Sequence, residues 1–269
     1  MGTHRRQEIG SNLLDGDAGA AVDGVDAVIR RSRQDRVAVI TLNRPGKRNA
    51  LTVEVCHELR NAIAAELAAG ARALVLTGAG TVFCSGADLD EVYTAEFLDA
   101  LYAMLHAVAD APVPVIAAVN GPAIGAGTQL AIAADLRVAA PGAVFGVPTA
   151  KIGLAVDPWT IRRLAALAGS GAARELLLAC AQLDATAALR CGLAQRSGEP
   201  ADAVAWAHEL TALAPLTVSY SKRVLNELAA GTGDESQWDA AFAECWASTD
   251  LAEGRQARAE RRPPRFRGR

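Results

Sequence analysis

The stretch with the most chemical potential runs Asn120-Gly121-Pro122-Ala123-Ile124-Gly125-Ala126-Gly127-Thr128-Gln129-Leu130. Its glycines lead into an alanine-rich segment, Ala131 to Asp135, that reads as a helix. Small residues let a backbone come close to a ligand. The first N–H groups of a helix have no partner inside it, so they can face an oxygen that gains negative charge. Gln129 stands beside that turn, and a carboxamide neither takes nor gives a proton in water's range. Groups that do titrate lie elsewhere. Asp157 precedes Pro158 and reads as a turn former, or as an acid or base if it is buried. Trp159 reads as a core or interface residue, or as the lining of an apolar pocket. His57 and His106 fall in helical segments without matching partners, as surface or groove histidines do. Ser85 lacks the Gly-x-Ser-x-Gly frame of a nucleophile. Gly78-Ala79-Gly80 follows a strand, but the third glycine of a dinucleotide fingerprint is missing.

Alternating elements must position these groups. Val37 to Leu42 reads as a strand after an Asp-Arg turn, followed by a Pro45-Gly46 break. Val53 to Leu67 has apolar residues at helical spacing, with Thr52 placed to cap it. Ala73 to Leu76, Val113 to Val119 and Leu136 to Ala139 read as strands; Phe97 to Ala109 and Gln129 to Ala134 read as helices. Such alternation indicates an α/β chain built from crossover units. From Ile161 onward strand signals vanish and alanine and leucine dominate. The expected layout is a flexible leader at 1–26, a β-rich core with the site at 27–200 and a helical region at 201–269.

At 269 residues, 51% of them apolar, the chain can bury a large core. A net charge of -3 argues against a general nucleic-acid binder and gives no reason to expect a membrane-surface protein. No apolar run is long enough for a membrane span. Arg5 and Arg6 are not followed by a hydrophobic block, so the leader does not read as a signal peptide. The 5 cysteines, Cys56, Cys84, Cys180, Cys191 and Cys245, are odd in number and lack metal-type spacing. Reduced thiols in a cytoplasmic protein, with no metal, are the expectation.

Five motifs occur in one order. They are Arg44-Pro45-Gly46-Lys47-Arg48-Asn49-Ala50-Leu51, Val82-Phe83-Cys84-Ser85-Gly86-Ala87-Asp88-Leu89, the turn at 120–130, Phe145-Gly146-Val147-Pro148 and Arg261-Arg262-Pro263-Pro264-Arg265-Phe266. Together they resemble the enoyl-CoA hydratase/isomerase (crotonase) family across residues 27–269. The resemblance implies a crotonase-type (ClpP/crotonase-like) α/β fold, a ββα superhelix with a C-terminal helical oligomerisation region. It implies coenzyme A thioesters as ligands with no further cofactor, and trimers or dimers of trimers. Family oxyanion donors map onto the backbone N–H groups of Ala87 and Ala126. Lys47, Arg48, Ala50, Ser85, Asp88 and Leu89 map onto CoA-binding positions, Lys47 and Arg48 facing phosphates. Arg262 or Arg265 would approach a neighbouring subunit's CoA phosphates.

The departures carry as much information. Two family glutamates, which handle water and the α-carbon proton, are replaced by Gln129 and Thr149. The acyl pocket then holds Gln129, Thr149, Asp157 and Trp159, with no assured catalytic group. In this the chain is most similar to hydratase-like acyl-CoA-binding proteins associated with long-chain lipid synthesis in actinobacteria, and partners among lipid-synthesis enzymes follow from that likeness. Three readings stand: an acyl-CoA-binding protein with little or no hydration; an enoyl-CoA hydratase or isomerase using Asp157 or a water held by Gln129; and an unrelated hydrolase or nucleotide-binding enzyme, which the ordered motifs disfavour.

Overall fold

The computed structural model describes residues 27–88, 90, 92, 94–230 and 238–269. The leader at 1–26 and Leu89 of the proposed CoA site lie outside the described residues. In chain order the elements are β1 (Ile29–Gln34), β2 (Val37–Leu42), α1 (Val53–Ala68), β3 (Ala73–Gly78), α2 (Ala95–Ala109), β4 (Val115–Val119), β5 (Pro122–Ile124), α3 (Ala126–Ala133), β6 (Leu136–Ala139) and β7 (Val144–Gly146). Then follow α4 (Pro158–Leu178), β8 (Gln182–Asp184), α5 (Ala185–Arg190), β9 (Arg196–Ser197), α6 (Pro200–Thr211), α7 (Pro215–Ala230), α8 (Asp239–Ala247) and α9 (Thr249–Glu260). Strands and helices alternate through the first half of the chain, the α/β layout that the motifs imply.

β1 and β2 form a hairpin through Asp35, whose φ of 53° makes the tight turn. β2, β3, β4, β6 and β9 continue in parallel, so the sheet order is β1-β2-β3-β4-β6-β9. Strands covered on both faces read as unbroken apolar runs, and β3 is such a strand. Its Leu74 and Leu76 enter the main core with α1 and α2, while Ala73 and Val75 face Ala203 and Ala207 of α6. Each buried leucine contributes about 1.5–3 kcal/mol. Thr52 caps α1 as its spacing predicts, its side chain accepting from the Val55 amide at 3.2 Å. A second, small sheet in the order β5-β7-β8 stands beside the site.

The elements differ from the sequence reading in several places: α1 runs on to Ala68, β3 to Gly78, α2 begins at Ala95 and α3 ends at Ala133. β4 starts at Val115 rather than Val113, because Pro114 has no N–H for the ladder. α3 starts at Ala126, three residues before Gln129, because a glycine at 127 weakens the helical pattern there without preventing the helix. Strands do occur after Ile161: β8 and β9 have three and two residues, too short to show a period. Among the described residues no helix is long and apolar enough to cross a membrane.

Candidate functional site

Two loops meet backbone to backbone at the N-terminus of α3. The first, 84–88, is held by parallel bridges: the Cys84 amide donates to Pro122 O and the Ile124 amide to Cys84 O. Farther along, the Leu51 amide donates to Gly86 O at 2.8 Å and the Asp88 amide to Leu51 O at 2.7 Å. Such a ladder uses the groups on either side of Ala87 and turns Ala87's own N–H away from residue 51. Ala126 is the first residue of α3, where the N–H has no acceptor inside the helix. Among the described residues, no hydrogen bond takes either amide.

Glycines are what let these loops approach. A Cβ on Gly86 would stand 2.8 Å from Ile124 O and 3.6 Å from the Ala126 nitrogen. One on Gly127 would stand 2.1 Å from Cys84 O. Gly86 also has φ 102°, in the region that favours glycine. The two amides therefore lie on adjoining backbone. Thr128 locks the turn by donating to Ala123 O at 2.6 Å and accepting from the Gly146 amide at 3.2 Å. Asn120 fixes the other flank, its Nδ2 donating to Gly78 O and Gly80 O at 2.9 Å each.

The Cys84 thiol sits inside this contact with no exposed surface, and burial pushes its pKa up to about 12, against a hydrogen bond from the Gly86 backbone. A thiol so high is a poor nucleophile. In folded protein at mildly alkaline pH, iodoacetamide is expected to modify the partly exposed Cys180, Cys191 and Cys245 and to spare Cys84. Mass spectrometry of the labelled chain checks this, and early Cys84 labelling would mean that the loop contact opens.

The residues singled out by sequence divide into three places. Gln129 is buried on α3, and its Nε2 donates to Thr160 Oγ1 at 2.9 Å. Asp157 is the N-cap of α4: one carboxylate oxygen accepts from the Trp159 amide at 3.1 Å, the other from Thr160 at 3.2 Å. Its role as a turn former ahead of Pro158 is thus the one the structure displays. Trp159 is half-buried between the His106 ring, 5.3 Å away, and the Arg163 guanidinium, 5.5 Å from its centroid. His106 is therefore a surface histidine with an aromatic partner; His57 is simply exposed. Thr149 lies half-buried in a short 3-10 turn, Pro148–Ile152, following β7.

Lys47 and Arg48 are exposed at the turn after β2, on the flank of the 84–88 loop, where the Ser85 amide donates to Arg48 O at 3.0 Å. Ala50 is buried, and its carbonyl accepts from Arg44 at 2.6 Å; Arg44 also pairs with Asp88 at 3.6 Å. Arg262 is held by its own chain, through Glu253 at 2.6 Å and Glu260 at 2.5 Å, and the Arg265 amide donates to Glu253.

Two neighbours escaped the sequence reading. Thr160 completes the Gln129 contact. Tyr102, on α2, is half-buried near Asp157 and Gln129. Burial raises this phenol's pKa and the Asp157 charge raises it further, against the polar groups of Asp157 and Gln129 nearby. A polar-tipped aromatic within the apolar face of α2 was the available signal. The two amides are open to an acceptor, and the Gln129 carboxamide and Thr160 hydroxyl stand on the helices beside them.

Comparison with known proteins agrees with this architecture. The family model described as enoyl-CoA hydratase/isomerase matches residues 32–269. A probable enoyl-CoA hydratase of Mycobacterium tuberculosis is 48% identical over 241 residues, covering 88% of this chain and 98% of the relative. A putative enoyl-CoA hydratase/isomerase of Bacillus subtilis is 34% identical over 265 residues, covering 90% and 99%. Among solved structures, an enoyl-CoA hydratase from Bacillus anthracis superposes with TM-score 0.82 at 29% identity, covering 90% of this chain and 100% of that one. Fold, motif order and matched length agree: the chain belongs to the enoyl-CoA hydratase/isomerase family.

Proposed function

We propose that this protein binds fatty acyl-CoA thioesters with the carbonyl oxygen between the Ala87 and Ala126 amides, and has little or no hydratase activity. The observation that carries the reading is the contrast between free main-chain donors and the missing acids. Ala87 and Ala126 offer unpaired amides, whereas neither Gln129 nor Thr149 titrates in water's range, and both Asp157 oxygens cap α4. Removing one such oxyanion donor costs about 100- to 1,000-fold in rate in a well-studied hydrolase, which measures how strongly paired amides favour negative charge on a bound oxygen.

In this reading Lys47 and Arg48 meet the CoA phosphates as cations, and the backbone of Ala50, Ser85 and Asp88 lines the nucleotide pocket. Gln129, Thr149, Asp157 and Trp159 form the acyl end. The place of action is fatty-acid and lipid metabolism in the cytoplasm, with lipid-synthesis enzymes as partners, and the assembly is a homotrimer or a dimer of trimers. Exposed apolar side chains on the last helices, Leu225, Phe242, Trp246 and Leu251, support self-association through that region.

Calorimetry with palmitoyl-CoA and acetyl-CoA tests the reading. The long thioester is expected to bind well above free CoA plus fatty acid, and Trp159→Ala to weaken it by about tenfold or more, since an apolar contact of indole size is worth about 1–3 kcal/mol. Acetyl-CoA should change little. Binding no better than that of the separate pieces would remove the cradle. Equal loss for both thioesters would place Trp159 in the core of the fold. The rival reading, residual isomerisation through Asp157, requires turnover that Asp157→Asn abolishes while binding stays.

A further inference from the structure

The helix that carries Ala126 ends in two buried guanidinium groups. All eight residues of α3 are buried, so its last carbonyls have no access to water and need internal donors. Arg137, fully buried on β6, donates to Ala131 O at 3.2 Å and Ala134 O at 2.9 Å, and its Nε to Leu193 O. Arg163 on α4, 5% exposed, donates through Nε to Ile132 O and through its second terminal nitrogen to Ala133 O at 3.2 Å and Ala134 O at 3.1 Å. Cations at a helix C-terminus complement its dipole.

Arg163 differs from Arg137 in what else it reaches. It shares α4 with Thr160, which accepts from Gln129 near the start of α3. α4 therefore splints α3 at both ends. Its first terminal nitrogen donates to Asn226 Oδ1 on α7 at 2.8 Å, and the Nδ2 of that asparagine donates to Ala109 O at the end of α2, the helix of Tyr102. The same guanidinium lies over the Trp159 ring. One side chain thus ties together the oxyanion helix, the aromatic wall and the helix with the phenol.

We propose that Arg163 is a positioning residue for the bound thioester: it fixes α3 along its axis, so the Ala126 amide stays opposite that of Ala87, and its buried charge adds to the field that polarises the carbonyl. This rests on the cradle reading above. Arg163 touches neither ligand nor reacting atoms; it acts through α3, whose length of about 12 Å separates it from the Ala126 amide. A planar fork bonded to three carbonyls and an amide is not replaceable by a point charge on a flexible stem.

The test uses the full chain saturated with a conjugated dienoyl-CoA, whose absorption moves to longer wavelength when its carbonyl is polarised. Wild-type protein is expected to show this red shift. Arg163→Lys should cut it to about half or less per bound ligand, because the donor pair loses its alignment, while free CoA binds as before. Asn226→Ala leaves the guanidinium in place but releases its tether, and a smaller, measurable loss of red shift is expected. A full wild-type shift in folded Arg163→Lys overturns the proposal. If that variant does not fold, a full shift in Asn226→Ala overturns it. A bound ligand with no red shift even in wild type overturns the cradle itself, an outcome visible before any variant is made.

Discussion

Gly127→Ala is expected to remove acyl-CoA binding and to lower stability by about 3 kcal/mol or more, the upper part of the range for overpacked sites. The added methyl carbon would stand 2.1 Å from Cys84 O, 2.9 Å from its carbonyl carbon and 3.0 Å from Cys84 Cβ. Two of those three atoms are main chain, and they belong to the loop that carries Ala87. Relief requires the 84–88 loop and α3 to separate, which pulls the two amides apart. Gly142→Ala is the control, because nothing lies within 4 Å of a Cβ there, and its effect should stay within about 0.5 kcal/mol. Thermal melts and titration with an acyl-CoA read both. Wild-type affinity in folded Gly127→Ala would mean that the ligand does not use this pair of amides.

Wild-type protein is expected to hydrate a short enoyl-CoA very slowly, and Gln129→Glu combined with Thr149→Glu to raise that rate. One positioned acid–base group is worth roughly 100- to 10,000-fold, so restoring even part of one is measurable. At 129 the exchange is nearly isosteric: Thr160 can turn its hydroxyl to donate to a carboxylate where it now accepts from the amide. Burial of Gln129 means that a glutamate there would hold its proton more tightly than in water. Thr149 offers more room, in a half-buried turn. Loss of the conjugated enoyl absorbance measures turnover. Wild-type rates like those of ordinary hydratases would sink the idea, whatever the double variant does.

Much of this arrangement was legible before the fold was known, and the reasons differ by element. β2 and β6 begin and end where their apolar runs do, and Thr52 announced α1, because a cap and a periodic face are local signals. The Asp-Pro pair at 157 and 158 read as a turn former or as a working acid, and the structure shows that carboxylate capping α4, a helix start the sequence reading did not name. β5, β7, β8 and β9 escaped, since strands of two or three residues have no visible period and exist only through their neighbours. The buried arginines escaped for a different reason. Charge in a sequence suggests a solvated face, and nothing local says that Arg137 and Arg163 spend their donors on carbonyls of a helix from which the chain has already moved on. Tyr102 and Thr160 come to Gln129 only because α2 and α4 both pack on α3, which is tertiary information.

On the reading proposed above the carbonyl is held by the peptide backbone at Ala87 and Ala126, and this has a consequence for altering the protein. Exchanges at Thr149 and Tyr102, which carry neither the Gln129–Thr160 contact nor the cap of α4, would then change the groups around the acyl carbons without rewriting that grip, provided residues 84–88 and 125–128 are left alone. A library confined to those two positions would start every member from an already assembled electrophile holder, so selection would have only proton donors and acceptors to find. The scaffold separates holding from reacting, and new activities can be sought on it one side chain at a time.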